Sequence, residues 1–115
     1  MFSDKTKSYR LAASKKEFLA LFNGQTELTK NLGFGELLFV VKNDEVFAFK
    51  NECPHQKQKM NGCRIHNDKV VCPWHQYHFD VHTGRGHGLY LPVYELKEQE
   101  DGFYLFRTYF SWFGE

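Results

Sequence analysis

Two short segments hold the residues with the most chemistry: Cys53-Pro54-His55 and Cys72-Pro73-Trp74-His75, with sixteen residues between His55 and Cys72. Each pairs a thiol with an imidazole. A lone Cys-x-His or Cys-x-x-His says little. Two of them at this separation, each with Pro directly after the Cys, make a ligand set for a metal centre. Two donor sets are open. One takes Cys53, His55, Cys72 and His75. The other takes Cys63 and His66, a second Cys-x-x-His, together with Cys72 and His75; that Cys₂His₂ set suits structural zinc, but it leaves Cys53 and His55 idle.

The elements that must position these residues are short strands. Residues 8–13 read as a first strand. Ser14 followed by Glu17 is a capping box, and Phe18, Leu19, Leu21 and Phe22 give a short helix its apolar face, closed at Gly24. A second strand is expected over 26–32 and a turn at Gly33-Phe34-Gly35. Glu36 to Lys42 is the clearest strand, apolar enough to be central. Asn43-Asp44 is a turn into Glu45–Lys50, where Val46 and Phe47 compete for the inner face. Residues 51–64 are irregular and polar. Residues 69–72 form a strand that delivers Cys72, and 77–82 alternate, placing His78, Asp80 and His82 on one outward face. Gly84, Gly86 and Gly88 mark a loop, Leu91-Pro92 bends the chain, and 93–97 with 102–107 make a hairpin. Strands with turns every few residues predict an all-β domain, a small antiparallel β-sandwich with one short helix.

Composition sets the outer limits. The chain has 115 residues, enough for one domain with one core. Its hydrophobic fraction of 42% and aromatic fraction of 17% favour a folded chain over a disordered one. A net charge of +1 gives no case for nucleic acid or a membrane surface. No apolar run approaches the roughly 20 residues that cross a bilayer, and the opening Met1 to Lys7 has no apolar signal core. Three Cys is an odd count that suits a reducing compartment, so a cytoplasmic protein is expected; a monomer is expected as well.

Read together, Cys-x-His and Cys-x-x-His resemble the Rieske [2Fe–2S] motif, in which two thiolates hold one iron and two imidazoles the other. The resemblance runs along the whole chain. Cys53, His55, Cys72 and His75 fall on the four ligand positions, and Phe79-Asp80 and Thr83-Gly84 match the run that often follows. It implies a basal pair of sheets (1–50 and 85–115) with an inserted cluster-binding subdomain at 51–84. It also implies Cys53 and Cys72 at the buried iron and His55 and His75 at an exposed tip. Replacing two thiolates by neutral imidazoles removes about two negative charges, which raises the potential from about −400 mV into a range of about −150 to +300 mV. Met60 stands where Leu is usual and could pack beneath the cluster.

Several positions depart from the family's pattern. Lys57 and Gln76 stand where Gly is frequent, so they are expected in less favoured dihedrals. Cys63 has no second Cys to pair with, because Trp74 occupies that place; a free thiol without a role is the simplest reading. High-potential members place Ser and Tyr hydroxyls near the sulfurs; here those positions are Tyr77 and Phe79, which argues for the lower half of the range. Lys57 and Lys59 offer either a docking patch or ordinary solvation. His66, His78, His82 and His87 read as surface residues. Tyr104 to Phe113 is an aromatic tail whose last residues, Phe110, Trp112 and Phe113, either cover a sheet edge or offer a patch to a partner.

The function implied is a one-electron carrier with no catalytic residue. It would act as a ferredoxin passing electrons from a flavoprotein reductase to a terminal oxygenase or similar acceptor. The alternatives are a nitrite reductase-like small subunit and a zinc-stabilised interaction module. An oxygenase site would need two His, a carboxylate and a substrate cavity, and only His78, Asp80 and His82 cluster in sequence.

Overall fold

A computed structural model describes the backbone of residues 2–74 and 76–112 and the side chains of 5–74 and 76–108; His75 and the ends lie outside. Eleven strands and one helix appear among these residues: β1 (Phe2–Ala12), α1 (Lys15–Ala20), β2 (Glu27–Asn31), β3 (Glu36–Lys42), β4 (Glu45–Lys50), β5 (Arg64–His66), β6 (Lys69–Val71), β7 (His78–Asp80), β8 (Arg85–Gly86), β9 (Leu89–Tyr90), β10 (Val93–Gln99) and β11 (Gly102–Trp112). The strands form an antiparallel six-stranded sheet of order β1-β11-β10-β4-β3-β2, a three-stranded sheet β5-β6-β7 and a hairpin β8-β9. The large sheet curls at β10. Val93 and Tyr94 pair with β4, whereas Glu95 to Gln99 pair with β11.

β3 is central, as its composition predicts, and it is buried on both faces. Leu37 and Phe39 enter one core with Phe18, Phe22, Ala48, Phe103 and Leu105. Leu38 and Val40 enter a second core with Phe49, Cys53, Met60, Ile65, Val70, Cys72, Phe79, Val81 and Leu91. The period of two along a strand makes this division. It also resolves the competition in β4, since Val46 packs on the first core and Phe47 on the second. The small helix closes the first core through Phe18, fully buried. Ser14 caps it, its Oγ accepting the Glu17 N–H at 3.1 Å.

The hairpins follow one rule. Asn43-Asp44 joins β3 to β4 with both residues at positive φ (52° and 64°). Asn67-Asp68 does the same between β5 and β6 at 51° and 60°. Asn and Asp tolerate this left-handed region better than other non-glycine residues, and the paired arrangement matches strand twist. β5 corrects the sequence expectation at Arg64, the end of a stretch expected to be irregular, and adds a strand over 65–66 on which the sequence reading was silent. The loop expected at Gly84 to Gly88 is likewise a correction, because it contains the β8-β9 hairpin. The β10-β11 hairpin is as expected but longer, pairing Gln99 with Gly102. No helix among the described residues is long and apolar enough to cross a membrane.

Candidate metal centre

The two Cys-containing loops repeat one backbone pattern. In the first, the Lys57 N–H donates to Cys53 O (2.6 Å) and the Cys53 N–H to Gln58 O (2.7 Å). In the second, the Gln76 N–H donates to Cys72 O (3.1 Å) and the Cys72 N–H to Tyr77 O (2.8 Å). The fourth residue after each Cys, Lys57 or Gln76, has positive φ, 58° and 59°. These are the two positions where the sequence expects strained dihedrals in place of Gly. A non-glycine residue there costs about 1–2 kcal/mol; in the first loop the turn leaves the backbone N–H groups of His55 and Gln56 facing the Cys53 sulfur.

Both thiols are withdrawn from water. Cys53 is 1% exposed and Cys72 is fully buried, with Met60 buried beside them in the same core. Both sulfurs belong to the same buried core, and neither is in a disulfide. Burial pushes the Cys53 thiol up, and the Cys72 sulfur pushes the same way; the backbone N–H groups of His55 and Gln56 pull it down. Two adjacent buried thiolates are unfavourable unless a cation compensates them, and N–H groups aimed at a sulfur suit a metal-bound thiolate. The His55 ring is half-buried, but its Nδ1 is buried. The donor set, its burial and these N–H groups therefore fit an anionic iron–sulfur group with an imidazole on its outer side. His75 lies outside the described residues.

A polar web ties the first loop to the sheet. Asn51 is a buried polar residue, 5% exposed. Its Nδ2 donates to Glu36 Oε2 (2.6 Å) and Asn61 Oδ1 (2.8 Å), and its Oδ1 accepts the Met60 N–H (2.7 Å). Glu27 accepts the Gly62 N–H at 2.7 Å and the Asn61 amide at 3.2 Å. Lys59 Nζ reaches Glu36 at 2.7 Å. Its ammonium, then the Asn51 amide, hold the Glu36 carboxyl below the usual carboxylate range. Lys59 therefore has a carboxylate partner, while Lys57 is exposed. Two ties join the two loops: Trp74 Nε1 donates to Lys59 O at 2.8 Å and the Tyr77 ring stacks on His55 at 4.1 Å between centroids, while Arg64 of β5 donates to Gln76 Oε1 at 2.9 Å.

Sequence reasoning missed Asn51 and His87; it set Tyr77 near the sulfurs, whereas its ring lies on His55. Asn51 had a signal: it continues the inward period of Phe47 and Phe49. The outward histidines are as expected, since His66, His78, His82 and His87 are exposed. Asp80 Oδ1 accepts the His82 and Thr83 N–H groups (2.8 and 3.0 Å) and so builds a turn instead of an iron site. The side chains of Phe110, Trp112 and Phe113 lie outside the described residues.

The zinc set fares badly. Among the described residues, no three of His, Cys, Asp or Glu converge on one ion, although Cys63, His66 and Cys72 are all described. Cys63 and His66 are three residues apart on a nearly extended stretch, about 10 Å at about 3.3 Å per residue and on opposite faces. A two-iron centre needs no such convergence, because its ligands divide between two metals. Burial, and then the Glu27 carboxylate, push the Cys63 thiol up to about 12, so it is protonated at neutral pH. Cys63→Ala is therefore expected to keep its full complement of iron and its visible spectrum. Measured loss of either would return Cys63 to the ligand list.

The Rieske [2Fe-2S] domain model matches residues 11–94. The chain belongs to the Rieske [2Fe–2S] domain family. Its cofactor is a Rieske [2Fe–2S] cluster and its role is electron carriage. Among solved structures it is similar to the ferredoxin of carbazole 1,9a-dioxygenase from Nocardioides aromaticivorans IC177, at 20% identity and a TM-score of 0.63, covering 86% of this chain and 96% of that one. It is also similar to a protein assigned as the small subunit of an NADH-dependent nitrite reductase from Mycobacterium tuberculosis, at 14% identity and 0.64, covering 91% and 96%. Both likenesses concern the fold. Apoptosis-inducing factor 3 of Mus musculus and Homo sapiens is 36% identical over 64 residues, 56% of this chain. That match spans a tenth of those proteins' length.

Proposed function

We propose that Cys53, Cys72, His55 and His75 hold the Rieske cluster and that residues 51–84 form the subdomain that carries it. The observation behind this reading is the pair of buried, unbridged thiols on two loops of identical backbone pattern, with a half-buried imidazole beside them. When bound, the cluster supplies a site for one electron. The chain does the rest. Buried Met60, Phe79 and Leu91 exclude water from the thiolate side. The backbone N–H groups of His55 and Gln56 offset charge on the Cys53 sulfur. Asn51, Glu36 and Glu27 hold the first loop against the sheet, so the centre need not reorganise as its charge changes.

The carrier is read as a ferredoxin that takes electrons from a flavoprotein reductase and gives them to a terminal oxygenase or similar acceptor. The likeness to the dioxygenase ferredoxin supports this, and a nitrite reductase-like small subunit is the second reading, supported by the other structural neighbour. Unpaired cysteines suit a reducing compartment such as the cytoplasm.

The potential is expected in the lower half of the range of about −150 to +300 mV. Phe79 is buried without a hydroxyl, Tyr77 lies on an imidazole, and no disulfide links the loops. Fewer donors to the sulfurs stabilise the reduced cluster less. Anaerobic purification should give two irons and two acid-labile sulfides per chain, a red-brown colour bleached by dithionite and a Rieske-type EPR signal. A colourless folded protein after reconstitution would end the reading; a clearly positive midpoint by protein-film voltammetry at neutral pH would end the part about potential.

A further inference from the structure

We infer that His55, Tyr77 and His87 form a stacked aromatic ladder that fixes the orientation of the His55 imidazole, with Tyr77 and His87 as positioning residues. This deepens the proposed function and rests on His55 being a cluster ligand. The Tyr77 ring lies on His55 with centroids 4.1 Å apart and planes at 28°. Its neighbour is His87, at 4.7 Å and 37°. An imidazole on a single side chain can rotate about its Cβ–Cγ bond, and rotation swings the ring nitrogens away from any fixed centre. A ring stacked on its face opposes that rotation directly.

The ladder is anchored at its outer end. His87 sits at the tip of the β8-β9 hairpin with φ of 54°, followed by Gly88 at 73°. Asn-Gly or Gly-Gly would fit such a turn with less strain. Here a bulky ring occupies the strained position. The backbone N–H of His78 donates to its Nε2 at 3.1 Å, which makes Nδ1 the protonated nitrogen. The ring also meets His78 edge-on at 5.6 Å and the buried Phe79 at 6.4 Å. His87 is therefore held from three sides while its outer surface stays exposed. Tyr77 in turn belongs to the second cluster loop, through the bond from the Cys72 N–H to its carbonyl. One ligand of the first loop is thus braced by the second loop and by the 85–90 hairpin together.

The test uses the intact, cluster-loaded protein labelled with nitrogen-15 histidine. Electron–nuclear double resonance on the reduced state resolves the couplings of the iron-bound imidazoles one by one. Wild type should show two. Tyr77→Phe keeps the stack and should retain both values. Tyr77→Ala should shift one coupling beyond its linewidth and leave the other in place, and His87→Ala should shift the same coupling by less. Should Tyr77→Ala fail to assemble its cluster, Tyr77→Leu keeps the bulk without the aromatic plane and should give the same selective shift. Wild-type couplings in His87→Ala and in whichever Tyr77 variant assembles would overturn the ladder. A wild type with no imidazole coupling would instead sink the ligand assignment, so the two failures are distinct.

Discussion

Cys72→Ala should abolish the native cluster outright. Cys72 is fully buried at the end of β6, its N–H bonded to Tyr77 O and its carbonyl to the Gln76 N–H, so no neighbouring group can take its place. Cys63 is the one other thiol on that side. It packs against the same core, but burial and the Glu27 carboxylate keep its sulfur protonated at neutral pH. His75→Ala should have the same outcome, for a different reason. On the proposed assignment His75 would hold one iron, and a methyl group in its place would supply no donor. Iron and sulfide analysis with EPR checks both variants. A preparation of either one retaining native visible and EPR spectra would contradict the ligand assignment. The folded chain should also lose stability, because ligand binding to the native state alone adds to its folding free energy.

The second large effect is expected at a glycine remote from the ligands in sequence. A Cβ on Gly86 would lie 1.9 Å from the carbonyl oxygen of His78 and 3.2 Å from the Phe79 Cα. Both obstacles are backbone, so relief requires β8 to move off β7, which supports the second core through Phe79. Gly86→Ala should cost more than about 3 kcal/mol, beyond ordinary overpacking, and lower the thermal midpoint by roughly 10 °C or more. Gly88 makes the control. It lies two residues on, with positive φ and nothing within 4 Å of a built Cβ. Gly88→Ala should cost only the strain of the left-handed region, about 1–2 kcal/mol. Equal midpoints for the two variants in thermal unfolding of the loaded protein would show that the close approach of β7 and β8 is not there.

These two effects differ in how visible they are beforehand. Cys72 announces itself, because thiol and imidazole at a fixed spacing have few other uses. Gly86 does not. Three glycines at 84, 86 and 88 read as one loop, and composition cannot tell that the first two face carbonyls, of Leu91 and His78, while Gly88 faces open space. The same contrast runs through the fold. The β3-β4 hairpin could be read to the residue, since an apolar run meets Asn43-Asp44 and another begins. The β5-β6 hairpin uses the same dipeptide at 67–68, yet a three-residue strand carries too little pattern to see. Lys57 and Gln76 were legible as strained positions because Gly is frequent there in the family. The neutralisation of Lys59 was not, because its partner Glu36 is 23 residues away.

By itself, then, the chain's order of residues determined the donor types, their division into two Cys-Pro loops, the all-β class and the central place of Glu36–Lys42. Those are local properties: spacing, period and turn chemistry are carried by neighbours along the backbone. Only the tertiary structure decided that Asn51 joins the first Cys loop to the sheet, that Tyr77 stacks on His55 and meets His87 on its other side, and that Gly86 lies against a carbonyl. Each of those depends on which distant segments share space once two cores close on opposite faces of β3. Sequence separation carries no record of that packing.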